Sequence, residues 1–225
     1  MRIDFKQLNS TLKHVALPPR GPSTSQPPLL LLLHGRGADE HDLIPITHYL
    51  DSRFFLIAVR APLKCSYGGS TWFEILDNGL PDPKEFRSSF DALHTFIEDA
   101  HAHYPVAPGP LYIFGFSMGA MMALSYTLAL PSMVRGVAAH SGYLPDEIHR
   151  PYQWNHLRGV SIFQGHGVQD PVVPIARARK THDFLSRSDA SYTYKEYEIQ
   201  HQISEQSIAD INAFYQGLLG PAPRT

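Results

Sequence analysis

Runs of apolar residues with no polar interruption, each followed by a helical pattern, constrain this chain more than any other feature. They occur at "LLLLLH" (29–34), "RFFLIAVR" (53–60), "LYIFGF" (111–116), "VRGVAAH" (134–140) and "GVSIFQG" (159–165). A strand that is apolar on successive residues is buried on both faces, which a parallel sheet covered by helices provides. Helical patterns lie between the runs, near 40–50, 83–103, 118–130, 174–187 and 203–218, with Pro174 suited to a first helical position and Ser204 to an N-terminal cap. "SYTYKEYE" (191–198) alternates as an edge strand does. "RIDFKQLN" and "LKHVAL" read as an antiparallel hairpin at the other edge, and "PPRGPSTSQPP" (18–28) as a proline-broken loop. The expected architecture is α/β, with a mostly parallel central sheet, helices on both faces and an antiparallel N-terminal edge.

Length and charge narrow the class. The 225 residues suit one domain spanning 1–225, and 43% hydrophobic against 18% charged residues is a globular balance. A net charge of −2 without a basic block argues against a nucleic-acid partner. The single cysteine, Cys65, excludes an internal disulfide and a cysteine-rich metal site. No secretory leader is visible, and the longest apolar run is far short of a bilayer span, so the expected location is the cytoplasm. No cofactor motif is present: the Gly-x-Gly-x-x-Gly and Gly-Lys-Ser/Thr spacings are both missing.

In doubly covered sheets, ligands bind at the carboxyl ends of strands. "IFGFSMGAMMAL" (113–124) places Ser117 where a strand runs directly into a helix, between Gly115 and Gly119. Such a turn strains the serine backbone, brings the flanking residues together and lifts the hydroxyl off the sheet. A bare Gly-x-Ser-x-Gly could equally be a glycine-flanked helix cap, so the flanking strand and helix decide for a nucleophile. A serine needs a histidine to take its proton and a carboxylate to hold the imidazole. "HGVQDPVVP" offers Asp170 and "IQHQIS" offers His201, in the order Ser, Asp, His. Asp170 alone could be a turn residue before Pro171, and His201 a solvated loop residue. Of the rival bases, His166 is too close in sequence to Asp170, His182 falls within a helix, and His140, beside Ser141, is the most credible. "LLLLLHGRGADE" ends a core strand in a glycine-flanked turn, so the Arg36 and Met118 N–H groups are assigned as the oxyanion hole.

Taken in order, "LLLHGRGADEHDL", "FGFSMGAMMAL", "SGYLP", "GHGVQDPVVP" and "HQIS" resemble the phospholipase/carboxylesterase family of α/β-hydrolases, which includes the acyl-protein thioesterases. The likeness spans about residues 29–215. It implies Ser117, Asp170 and His201 as catalytic residues and the Arg36 and Met118 amides as oxyanion hole. It also implies Trp72, in "STWFEI", as a residue of the acyl pocket, although plain core packing would suit a tryptophan equally well. Phe73, Tyr143, Leu144 and Trp154 lie on the same loops, 61–82 and 141–157, and their apolar character favours an acyl chain. Gln200 departs from the family's glycine before the histidine. The expectation is that its side chain turns outward and leaves His201 in reach of Ser117.

The reading is a cofactor-independent serine hydrolase of carboxylic esters or thioesters, acting through an acyl-enzyme on a small acyl substrate. Family members often dimerise, which leaves a homodimer open, but the sequence itself does not give the oligomeric state. A dienelactone-type hydrolase is an alternative on the same fold, disfavoured because such enzymes usually carry cysteine where Ser117 stands. A catalytically silent binding protein is the alternative from another class.

Overall fold

Five consecutive leucines are buried together only where a strand has an apolar layer on each side. A computed structural model, which describes residues 5–21, 26–77, 79–145, 148 and 150–221, shows this for strand β2 (Leu29–Leu33). Leu29, Leu31 and Leu33 pack into one core cluster, and Leu30 and Leu32 into a second on the opposite face. The same division runs through the neighbouring strands, with Ile57 on the first side and Leu56 and Ala58 on the other.

Among the described residues, the main sheet has seven strands. In chain order they are β1 (His14–Leu17), β2, β3 (Phe55–Val59), β6 (Leu111–Phe116), β7 (Val134–His140), β8 (Ser161–Gly167) and β9 (Ser191–Tyr197). A separate ribbon pairs β4 (Leu63–Lys64) with β5 (Ser70–Thr71). The spatial order is β1-β3-β2-β6-β7-β8-β9. Only β1 runs antiparallel; the other pairings are parallel. The register aligns Leu33 with Gly115, Phe116 with His140, His140 with Gly165 and Gly167 with Tyr197. The carboxyl ends of β2, β6, β8 and β9 therefore finish at one rim, and their loops converge there.

Helices α1 (Pro83–His103), α2 (Met118–Ala129) and α3 (Ile175–Leu185) cover the first face, and α4 (Glu205–Leu219) the second. Helix α1 buries Phe86, Phe90, Leu93 and Ile97, a stripe at three- and four-residue spacing. The Asp82 carboxylate accepts from the Lys84 and Glu85 N–H groups at its start, and Pro83 fills the first position, where no N–H is needed. Helix α2 is buried along its whole length, which explains its uniformly apolar and small residues. Ser204 caps α4 in a reciprocal pair with Ser207. Among the described residues, no helix is long and apolar enough to cross a membrane.

The N-terminal hairpin does not form as read. Its second half gives β1, but residues 5–12 are not a strand, and residues 2–4 lie outside the described residues. Phe5 instead packs edge-on against Phe55 and Tyr104, with ring centroids 5.0 and 5.4 Å away, and the Tyr104 hydroxyl accepts from the Leu8 N–H. A side chain thus takes over the hydrogen bond that a neighbouring strand would have made. The helix read near 40–50 shrinks to a 3-10 turn at Pro45–Tyr49, because Pro45 has no N–H to continue a helix from the turns before it. Pro174 stands one residue ahead of α3, at the cap, with an extended ψ of 133°.

Candidate active site

Ser117 carries backbone angles of φ 55° and ψ −118°, a conformation that side-chain-bearing residues rarely adopt. Its N–H is held by the His140 carbonyl at 2.9 Å, and its own carbonyl accepts from Ala120 and Met121 in the first turn of α2. The flanking glycines have a direct steric cause. A Cβ on Gly115 would lie 2.4 Å from the Gly119 carbonyl oxygen, and one on Gly119 would lie 2.0 Å from the Leu33 oxygen. Any larger residue would push α2 off the sheet and move the hydroxyl.

His201 Nε2 lies 2.9 Å from the Ser117 Oγ, and His201 Nδ1 lies 2.6 Å from Asp170 Oδ2. With the imidazole proton on Nδ1, facing the carboxylate, Nε2 accepts the serine hydroxyl. The other carboxylate oxygen, Oδ1, accepts the Val172 and Val173 N–H groups, each at 2.8 Å. Burial opposes the charge on Asp170. The hydrogen bond from His201 and those from Val173 and Val172 outweigh it and hold the carboxyl below its ordinary range. Gln200 is exposed, and its backbone carbonyl lies against Gly167, where a Cβ would sit 2.4 Å away. The loop is seated by that close approach, and the Gln200 side chain does not stand between His201 and Ser117.

The turn after β2 is fixed from several sides. His34 Nδ1 faces the Gly35 carbonyl at 2.6 Å, and Nε2 accepts the Ala61 N–H at 3.0 Å, so the ring is neutral with its proton on Nδ1. Burial drives its pKa down, consistent with that form. Gly37 has φ +81° and donates to the Ser70 carbonyl at 2.8 Å, while the Ser70 N–H returns to Ala38. The Arg36 side chain pairs with Glu74 and lies over the Tyr67 ring. Among the described hydrogen bonds, none takes up the Arg36 or the Met118 N–H. Met118 is the first residue of α2, where the helix dipole favours negative charge.

A cavity of about 350 Å³ opens beside Ser117, lined by Ile75, Met118, Met121, Tyr143, Val173 and Arg177, among others. Trp72 and Phe73 are not on its wall. Both are wholly buried in the core, and the Trp72 indole N–H donates to the His34 carbonyl at 3.0 Å. Trp72 thus supports the turn after β2 from beneath, away from the cavity wall. Leu144 lines a neighbouring cavity, and Trp154 one beyond it. Cys65 is buried and free, in the β4–β5 turn.

The rival histidines are otherwise engaged. His166 Nε2 faces the Val173 carbonyl at 2.9 Å and lies 3.4 Å from Asp170 Oδ2, behind the carboxylate. His182 stacks on Tyr194, on the outer strand. His140 is fully buried, 2.9 Å from the Ser141 hydroxyl. Met121, Val173 and Arg177 are lining residues with no sequence signal. Met121 reads as helix core, and Arg177 as one of several solvated cations on α3.

The profile of the Phospholipase/Carboxylesterase family matches residues 20–219. The protein MhqD of Bacillus subtilis is 26% identical over 188 residues, 84% of this chain and 92% of that one. Acyl-protein thioesterase 1 of Candida albicans is 29% identical over 158 residues, 66% of this chain and 68% of the relative. Among solved structures, the Bacillus cereus carboxylesterase superposes with a TM-score of 0.83 at 26% identity, over 93% of this chain and 96% of that one.

Proposed function

The chain belongs to the phospholipase/carboxylesterase family of α/β-hydrolases, and on that premise we propose that it cleaves carboxylic esters or thioesters with Ser117 as nucleophile. One observation carries this reading: the unbroken chain from the Ser117 hydroxyl through His201 to Asp170, at the floor of an apolar cavity. His201 Nε2 takes the hydroxyl proton as Oγ bonds to the acyl carbon, and the carbonyl π pair moves onto oxygen. The Arg36 and Met118 N–H groups receive that charge, with no acceptor among the described residues to give up first. Collapse of the tetrahedral species expels the alkoxide or thiolate, which leaves with the proton from His201. A water then repeats the sequence on the acyl-serine, releasing the acid and restoring the hydroxyl. Asp170 stays ionised throughout, which its depressed pKa supports, and stabilises the imidazolium that forms twice per turnover.

Rapid mixing with 4-nitrophenyl acetate tests the proposal. A burst of 4-nitrophenol stoichiometric with enzyme is expected, with one acetyl group added to the intact mass. Both should be missing in Ser117→Ala. Steady hydrolysis that survives this substitution would overturn the assignment.

A further inference from the structure

The Arg177 guanidinium stacks on the Tyr143 ring at 4.6 Å, and the two residues line both the cavity at Ser117 and a second one of about 390 Å³. The second cavity is otherwise apolar, walled by Leu80, Pro83, Leu144 and Ile148, apart from Lys180. Arg177 and Lys180 are three residues apart on α3 and so share a helix face. Nearby arginines are neutralised: Arg36 by Glu74, and Arg179 by Glu196 through two bonds of 2.8 Å. Among the described residues, Arg177 has no such partner: its terminal nitrogens both lie 3.4 Å from the Gly79 carbonyl, and no described carboxylate pairs with Arg177 or Lys180. A half-buried guanidinium on an apolar wall is costly to desolvate, and a purely hydrocarbon ligand would make it costlier. An anionic oxygen pair would instead fit its planar fork.

Building on the hydrolase reading, we infer that Arg177 selects substrates carrying an anionic group, a carboxylate or phosphate, at the end of an apolar arm from the scissile carbonyl. The carbonyl sits at Ser117, the arm runs over Tyr143 and Leu144, and the anion is held by the Arg177 fork with Lys180 adding a second charge. Arg177 is a specificity residue and takes no part in the chemical step.

Two matched substrate series test this. On the acyl side, 4-nitrophenyl monoesters of C6 to C10 dicarboxylic acids are compared with 4-nitrophenyl esters of the uncharged acids of equal length. On the alcohol side, 1-acylglycerol 3-phosphates are compared with 1-acylglycerols. The reading is the ratio of kcat/KM, charged over uncharged, so that a general loss of activity cancels. At least one series should favour the charged member by on the order of tenfold to a hundredfold, the worth of a hydrogen-bonded charge. Whichever series does so locates the anion. Arg177→Gln should bring that ratio near one, and Lys180→Gln, on an exposed side chain, should lower it by less. A wild-type ratio near one in both series overturns the inference, as does a preference that Arg177→Gln leaves intact. Inactivity of the wild type on every ester would instead count against the hydrolase reading.

Discussion

Two serines share the same left-handed φ, and only one faces an imidazole backed by a carboxylate. Ser117 follows β6 with φ 55°, and Ser141 follows the adjacent β7 with φ 54°. Each hydroxyl is 2.9 Å from an imidazole nitrogen, His201 for Ser117 and His140 for Ser141. The differences lie one step further out. His201 is backed by Asp170, and the Ser117 it faces lines a cavity; His140 is fully buried, stacked on Tyr197, and its Nε2 has no partner among the described residues. Burial, reinforced by His166 and His201, pushes the His140 pKa down to about 3. A base that stays neutral to that acidity cannot hold a serine proton. Strain and a serine–histidine contact are therefore insufficient; the carboxylate behind the ring and the open space before the hydroxyl distinguish the pair.

Replacing each serine should separate the pair most widely. Ser117→Ala is expected to lower kcat on a simple aryl ester by about 10⁴ to 10⁶, whereas Ser141→Ala should stay within about tenfold of wild type. Equal losses in the two variants would erase the distinction. Next in size is Asp170→Asn, which keeps the shape but favours the wrong imidazole tautomer. A drop of about 10³ to 10⁴ in kcat with little change in KM is expected, and a loss below tenfold would mean that His201 needs no carboxylate.

How much of this was legible in the sequence divides along the same line. The strands, Ser117 with its glycines, Asp170 and His201 could be read because steric and covalent demands there fix residue types at short range. A Cβ at 115 or 119 collides with backbone, so only glycine serves. The wall of the cavity could not be read. Trp72 looked like a pocket residue because an aromatic on a loop suits either role, and its hydrogen bond to the His34 carbonyl is a contact across 38 positions. Arg177 reaches the site because the loop Pro171–Pro174 returns α3 to the rim, and its spacing on an amphipathic helix carries no such information. The failed hairpin at the N-terminus has the same origin, a long-range hydrogen bond from Leu8 to Tyr104.

A smaller effect concerns acid. Burial lowers the pKa values of His34, His140 and His166, so the unfolded chain binds protons more readily than the folded one. Their contribution to stability is complete above the unfolded value of about 6.5 and is lost as pH falls below it, for His140 down to about 3, at up to about 1.4 kcal/mol per pH unit for each linked histidine. Asp170, also depressed, adds a loss of the same sign at lower pH. Urea midpoints should fall steadily between pH 6.5 and 4, and His140→Phe, which keeps an aromatic ring against Tyr197, should flatten the slope while retaining hydrolysis at pH 8 within about tenfold. An unchanged slope would remove His140 from the set of buried neutral groups. The smallest expected change is Gln200→Gly, within about tenfold on short esters, because the Gln200 side chain already faces outward. A gain of a hundredfold would show that the natural loop misplaces His201.

Site mapping with a fluorophosphonate tests the contrast between the two serines most directly. The reagent phosphonylates a serine oxygen only where a base removes the proton and donors stabilise the oxyanion. After labelling, proteolysis and mass spectrometry, the adduct should lie on Ser117 alone, vanish in Ser117→Ala and persist in Ser141→Ala. An adduct on Ser141, or full labelling retained in Ser117→Ala, would contradict the assignment of Ser117 as the nucleophile.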